Sequence, residues 1–251
     1  MSSEDASRYE DGGRHEEGGG HKAGDGFEEG GGHKAGDGFE EAGGTRTVPP
    51  VRLRDRPRAA VSTAQAVLHD LRMVDGAVYG AVAATPTPAL DVGLRRLSHA
   101  ADHSKISFAV AAGLALFPGR PRRAAAAGLG AIAIASATAN LLGKRLVRRP
   151  RPDREAARVV VGRHVPMPES ASFPSGHTAS AVAFATAAGV VLPPAAVPLG
   201  LLAWAVGYSR VHTGVHYPGD VAAGAVLGLA SGAASLAVGA SLLKAGRAAA
   251  G

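Results

Sequence analysis

Three short segments of the chain carry the residue types that phosphoryl chemistry needs. KRLVRRPRP runs from Lys144 to Pro152, FPSGH from Phe173 to His177, and YSRVHTGVHYPGD from Tyr208 to Asp220. Together they offer Lys144, Arg151, Ser175, Gly176, His177, Arg210, His216 and Asp220. Three fixed cations can hold the charge spread over the equatorial oxygens of a transferring phosphoryl group. One imidazole can attack phosphorus while the other protonates the departing oxygen. Neither the number nor the spacing of the carboxylates suggests a metal ion, and no cofactor is expected.

Taken singly, each segment has a plainer reading. Ser175 stands where a helix N-cap would stand, and a Ser-Gly-His entry can be capping alone. The same position also exposes the free N–H groups of a first helical turn, aided by the helix dipole, which makes a ready anion site. KRLVRRPRP can be the positive flank of a membrane helix; its prolines stop the helix and hold the chain extended, so that some cationic heads turn back. Arg145, Arg148 and Arg149 are read as flank charges near anionic lipid. His212 also lies in the third segment, eight residues from Asp220, and is read as a neighbour of the site.

Topology is what would join the segments. The apolar runs are ISFAVAAGLALF (106–117), AAAAGLGAIAIASATANLLG (124–143), TASAVAFATAAGVVL (178–192), AAVPLGLLAWAVGY (195–208) and VAAGAVLGLASGAASLAVGASLL (221–243). The last has no charge over more than twenty residues and is the surest transmembrane helix. If the runs cross a bilayer in order, two helices separate the 144–175 loop from the 208–219 loop, and both loops face one side. Gly224, Gly228 and Gly232 recur every fourth position, which aligns them on one face of the last helix for close packing. Upstream, Val67, Leu71, Val74, Val78 and Val82 form a single helical stripe over roughly 61–84. Asp70, Arg72 and Asp75 fall off that stripe, so an interfacial helix is preferred to a spanning one. The fold class expected is all-α: an integral membrane bundle of five to six helices, with five spans. A soluble Ala-rich helical bundle is the competing reading.

Composition sets the rest. Residues 1–44 contain EEGGGHKAGDGF twice in tandem, from Glu16 and from Glu28. This acidic, Gly-rich tail cannot bury enough apolar surface to offset its ordering entropy and is read as disordered. Its His-Lys pairs could hold metal weakly, although a solvated spacer is preferred. Residues 45–60 form a Pro/Arg-rich linker. The tail has a net charge of −8 against +6 for the whole chain, so the remainder carries +14. A body that basic favours an anionic partner: a phosphorylated substrate or a phospholipid surface. With eleven aromatics in all and basic residues adjoining apolar runs, nucleic acid is not expected. The absence of cysteine rules out disulfides and thiolate metal sites, and oligomeric state is not legible.

Over residues 61–245 the sequence resembles the type 2 phosphatidic acid phosphatases, membrane relatives of the vanadium haloperoxidases. That family is marked by Lys, six residues, Arg-Pro; then Pro-Ser-Gly-His; then Ser-Arg, five residues, His, three residues, Asp. The chain matches with Lys144 and Arg151-Pro152, with Pro174-Ser175-Gly176-His177, and with Ser209-Arg210, His216 and Asp220. The resemblance implies that His216 is a nucleophile forming a phosphohistidine, oriented by Asp220. It implies that His177 is the acid for the leaving group and then the base for water, with Lys144, Arg151, Ser175, Gly176 and Arg210 clamping phosphate oxygens. It also implies a multi-pass protein of the cell membrane whose site is extracytoplasmic. The substrate would be a lipid phosphate: phosphatidic acid, phosphatidylglycerophosphate, a polyprenyl diphosphate or a polyprenyl-phosphoryl sugar phosphate. The alternatives weighed are a vanadate-dependent haloperoxidase and a non-catalytic membrane protein that binds anionic lipid.

Overall fold

The computed structural model describes residues 56–143 and 146–250. The repeat tail, most of the linker and Lys144 lie outside the described residues. Those that are described form helices and no strand. In chain order they are α1 (Arg56–Ala84), α2 (Pro88–Ala100), α3 (Lys105–Ala115), α4 (Arg120–Thr138), α5 (Gly176–Val191), α6 (Ala196–His212) and α7 (Pro218–Ala250). A π-helical turn, Ala139–Gly143, extends α4. A long irregular segment, carrying one 3-10 turn at Val161–Arg163, then leads to α5.

Small side chains make the centre of the bundle. Ala131 and Ala135 of α4 pack on Ala179, Ala183 and Ala187 of α5, all buried. The glycine stripe of α7 lies on the same α5. A Cβ at Gly224 would stand 2.5 Å from the Ser175 carbonyl oxygen, and one at Gly228 would stand 2.7 Å from that of Ala179. This close approach of α7 to the first turns of α5 is what the four-residue spacing of glycines permits, and it fixes where Ser175 and His177 sit.

Among the described residues, two helices, α4 with its π turn and α7, are long and apolar enough to cross a membrane. The run at 106–117 gives only the 11-residue α3, too short for a 30 Å hydrocarbon core at 1.5 Å per residue. The apolar stripe of α1 faces outward: Val67, Leu71, Val74 and Val78 are exposed, whereas Asp75, Tyr79 and Ala83 are turned to the bundle and buried. His69, Asp70 and Arg72 are exposed as well, so the stripe does not dock α1; its inward contacts are made by Asp75, Tyr79 and Ala83.

The α1–α2 junction is held by one buried arginine. Arg163 donates to the carbonyls of Val82, Ala83 and Thr85, to the Thr87 hydroxyl and to Asp91. It thereby satisfies carbonyls that the end of α1 leaves without partners. His212 joins the same cluster, its Nε2 lying 2.9 Å from Thr87 Oγ1 and 3.2 Å from Asp91.

Candidate active site

The end of α6 and the start of α7 shape the third segment. At Gly214 the backbone takes a φ of +70°, the left-handed geometry in which glycine carries no Cβ penalty. Gly214 N–H donates to Val211 O and Val215 N–H to Arg210 O, the paired bonds of a Schellman motif. That reversal returns His216 to Arg210, whose carbonyl also accepts the His216 N–H at 3.2 Å. Asp220 lies in the first turn of α7 and reaches back to accept the Tyr217 N–H at 3.0 Å, the acidic half of a capping box. From α1, Asp75 accepts the Gly219 N–H at 2.7 Å. Two carboxylates therefore occupy the positive end of α7.

His216 is buried among fixed partners. Arg151 Nη1 stands 3.3 Å from its Nε2. A guanidinium can only donate, so Nε2 carries the lone pair and Nδ1 the proton. Nδ1 faces Asp220 Oδ2 at 3.6 Å and the Ser172 hydroxyl at 3.4 Å. Ser172 in turn donates to that Asp220 oxygen. Burial pushes His216 down to about 4; the Asp220 hydrogen bond opposes this, while Arg151 and Arg210 add to it. The ring is thus neutral at pH 7, with its lone pair aimed at a cation-lined space.

Arg151 is itself anchored, donating to Val215 O at 2.7 Å and to Ser170 O at 2.9 Å.

His177 belongs to a second cluster on the same side. Ser175 is the N-cap residue of α5, but its hydroxyl pairs with Thr178 Oγ1 at 2.9 Å and makes no side-chain cap bond. The first-turn N–H groups of Gly176 and His177 are left without intrahelical acceptors. The Ser175 N–H donates to Asp220 O at 2.9 Å, which ties the two segments together. His177 Nε2 lies 2.9 Å from Asp102 Oδ1, so this nitrogen carries its proton. Arg210 Nη1 donates to the Ser98 hydroxyl at 2.6 Å and stands 3.7 Å from Asp102. Arg210 Nε is buried without a partner, an orphan donor that an oxyanion would satisfy. The two imidazoles lie within electrostatic reach of each other, and Arg210 acts on both.

Of the residues singled out from sequence, the structure brings Arg151, Ser175, Gly176, His177, Arg210, His216 and Asp220 to one end of the bundle. His212 is held apart from them with Thr87 and Asp91. Arg149 corrects the flank-charge reading: it bridges Asp220 at 3.1 Å and Asp75 at 2.6 Å and covers the Tyr217 ring at 4.0 Å. The sequence reading also missed Ser172, Ser98, Asp75 and Asp102. Ser172 and Ser98 carry no distinctive signal. Asp102 could have been noticed as a lone acid just ahead of an apolar run. Among the described residues, no three His, Asp or Glu side chains gather so as to hold a metal ion.

This arrangement, a neutral buried imidazole backed by a carboxylate and faced by guanidinium groups at a helix N-terminus, has the chemistry that phosphoryl transfer requires. A family model for the PAP2 superfamily matches residues 124–242. The chain is 41% identical over 152 residues to decaprenylphosphoryl-5-phosphoribose phosphatase of Mycobacterium tuberculosis, covering 58% of this chain and 78% of that one. It is 42% identical over 142 residues to the protein of that name from Mycolicibacterium smegmatis, covering 55% and 72%. Among solved structures, Aquifex aeolicus LpxE superposes with a TM-score of 0.50 at 28% identity, covering 63% of this chain and 92% of that one. A PAP2-type phosphatidylglycerolphosphate phosphatase from Bacillus subtilis shares the fold, with a TM-score of 0.55 at 22% identity over 68% and 87%. The chain belongs to the PAP2 superfamily, and it is a membrane phosphatase.

Proposed function

We propose that the protein removes the terminal phosphate from a polyprenyl-phosphoryl sugar phosphate, of the kind named for its mycobacterial relatives, through a phosphohistidine at His216. The observation that carries the mechanism is the Arg151–His216–Ser172/Asp220 chain of contacts facing His177 and Arg210. His216 Nε2 attacks phosphorus, forming a P–N bond as the P–O bond to the sugar breaks. His177 acts as the acid in its imidazolium form: with Nε2–H held by Asp102, it gives the Nδ1 proton to the leaving oxygen and is left as the neutral ring. Asp220 and Ser172 hold Nδ1–H and stabilise the imidazolium character that develops, the role a carboxylate plays behind a catalytic histidine. Arg151 and Arg210, with Lys144 and the Gly176 N–H, take up charge on the phosphoryl oxygens while Ser175 fixes the start of α5. Water, deprotonated by His177, then attacks the phosphohistidine and releases inorganic phosphate.

The identity with the two mycobacterial relatives supports the choice of lipid. The domain is taken as 61–245, with the runs of α3 to α7 as five membrane-embedded segments, α3 reaching only partway across. The site is placed on the extracytoplasmic face of the cell membrane, which reporter fusions after Gly162 and at the C-terminus test. For the substrate, phosphate release by the purified protein is compared across decaprenylphosphoryl-5-phosphoribose, phosphatidic acid and decaprenyl diphosphate. A preference for the first of at least tenfold in kcat/KM is expected. Equal or better turnover of the others sinks the substrate assignment.

A further inference from the structure

A second cationic site lies beside the one described. The N-terminal turn of α3, the last turns of α2 and the loop before α5 border an open cleft of about 630 Å³ lined by Arg95, Arg96, His99, Ala100, Lys105 and His164. Five of the six are basic. Arg95, Arg96 and Lys105 make no ion pair or hydrogen bond with any described residue. Arg95 and Arg96 stand four and three residues before His99, the spacing that brings each of them to the His99 side of the helix. Cations gathered around a concavity are arranged for an anion, and none of the described residues supplies one here.

This cleft shares a wall with the phosphoryl site. Asp102 turns one oxygen to His99 at 3.5 Å and the other to His177 at 2.9 Å. Ser98, on the turn of α2 between Arg95 and His99, is the residue that holds Arg210. One carboxylate therefore separates the basic cleft from the proposed acid.

We infer that this cleft is a subsite for a second phosphoryl anion on the same substrate molecule, so that the enzyme selects lipids bearing two phosphoryl groups set apart by a spacer such as a sugar. The inference rests on the substrate class proposed above. In such a lipid the terminal phosphomonoester enters the cluster around His216, and the phosphodiester joining sugar to lipid is seated by Arg95, Arg96 and Lys105. In this reading a diphosphate, its two phosphorus atoms bridged by a single oxygen, engages one site, as a single-phosphate lipid does. An anionic lipid headgroup from the surrounding bilayer offers the cleft the same chemistry, so the test separates the two sources.

The Arg95→Gln/Arg96→Gln double variant and Lys105→Gln are purified in nonionic detergent, and their folding is checked by thermal unfolding against wild type. The ratio of kcat/KM for decaprenylphosphoryl-5-phosphoribose to that for phosphatidic acid is expected to fall about tenfold in the double variant, through KM. Decaprenylphosphoryl ribose keeps the phosphodiester and has no phosphate to lose. Its inhibition of phosphatidic acid hydrolysis is expected to weaken by a similar factor, and this arm reads the cleft even if wild type fails to turn over the phosphoribose lipid. An unchanged ratio together with unchanged inhibition overturns the subsite. So does activation of wild type by added phosphatidylglycerol, equal for both substrates and lost in the variants, which assigns the cleft to a separate headgroup.

Discussion

Replacing Arg149 by Met tests whether the layer behind Asp220 matters to catalysis. Arg149 bridges two buried carboxylates, Asp220 at 3.1 Å and Asp75 at 2.6 Å. Removing one partner of a buried pair costs about 3–5 kcal/mol, because the remaining charge is stranded. Met preserves much of the packing over Tyr217 and removes the charge. Unfolding in detergent is expected to show a loss of that order. The chemical step should suffer separately. A hydrogen bond to a charged group contributes about 1.5–3 kcal/mol, so a loosened Asp220 lowers kcat by about one to two orders of magnitude. Asp75→Asn keeps the Arg149–Asp220 contact, and its kcat should stay within about fivefold of wild type even where stability falls. In the double variant one stranded charge is gone, so the stability losses should sum to less than the two single changes. A kcat for Arg149→Met within twofold of wild type, or equal losses of kcat in both single variants, refutes the positioning role.

Other outcomes follow from the same geometry. Ser172→Ala removes a buried donor to Asp220 and should lower kcat about tenfold or more with little change in KM; a pure KM effect contradicts it. An NMR titration of the His216 ring should place its pKa near 4. Because the unfolded ring takes up its proton near pH 6.5, the stability that this neutral ring contributes is complete above that pH and lost as pH falls from 6.5 toward 4; a ring titrating at 6.5 or higher refutes the burial argument. Gly228→Leu drives a side chain into Ala179 O and Val182 and should destabilise the bundle by about 1–3 kcal/mol, read by unfolding midpoint.

Much of the site was legible because its chemistry is written in rigid local spacings. Pro-Ser-Gly-His at a helix start, and His216 with Asp220 four residues on, each fit a single turn or helix end, and the glycine stripe of α7 announced a close helix contact without naming its partner. What escaped notice depends on long-range packing. Arg149 looks like any charge flanking a membrane helix until α1 brings Asp75 to it. Asp102 and Ser98 acquire partners only when α2 folds over α6. The outward apolar stripe of α1 shows the same limit: periodicity revealed one apolar face and could not say whether protein or lipid covers it. The 106–117 run was expected to span, but its twelve residues fall short of the roughly 20 a bilayer needs, and Pro118-Gly119 stop its extension, leaving an 11-residue helix.

The central claim is a covalent bond between phosphorus and His216 Nε2. Rapid-quench experiments with substrate labelled in the terminal phosphate test it most directly, followed by mass spectrometry of the peptide spanning 211–220. The expected result is an acid-labile, base-stable phosphoryl adduct on His216 that forms and decays at rates compatible with turnover and is absent from His216→Ala. Full turnover with no adduct, or label carried by His177 or His212, contradicts it.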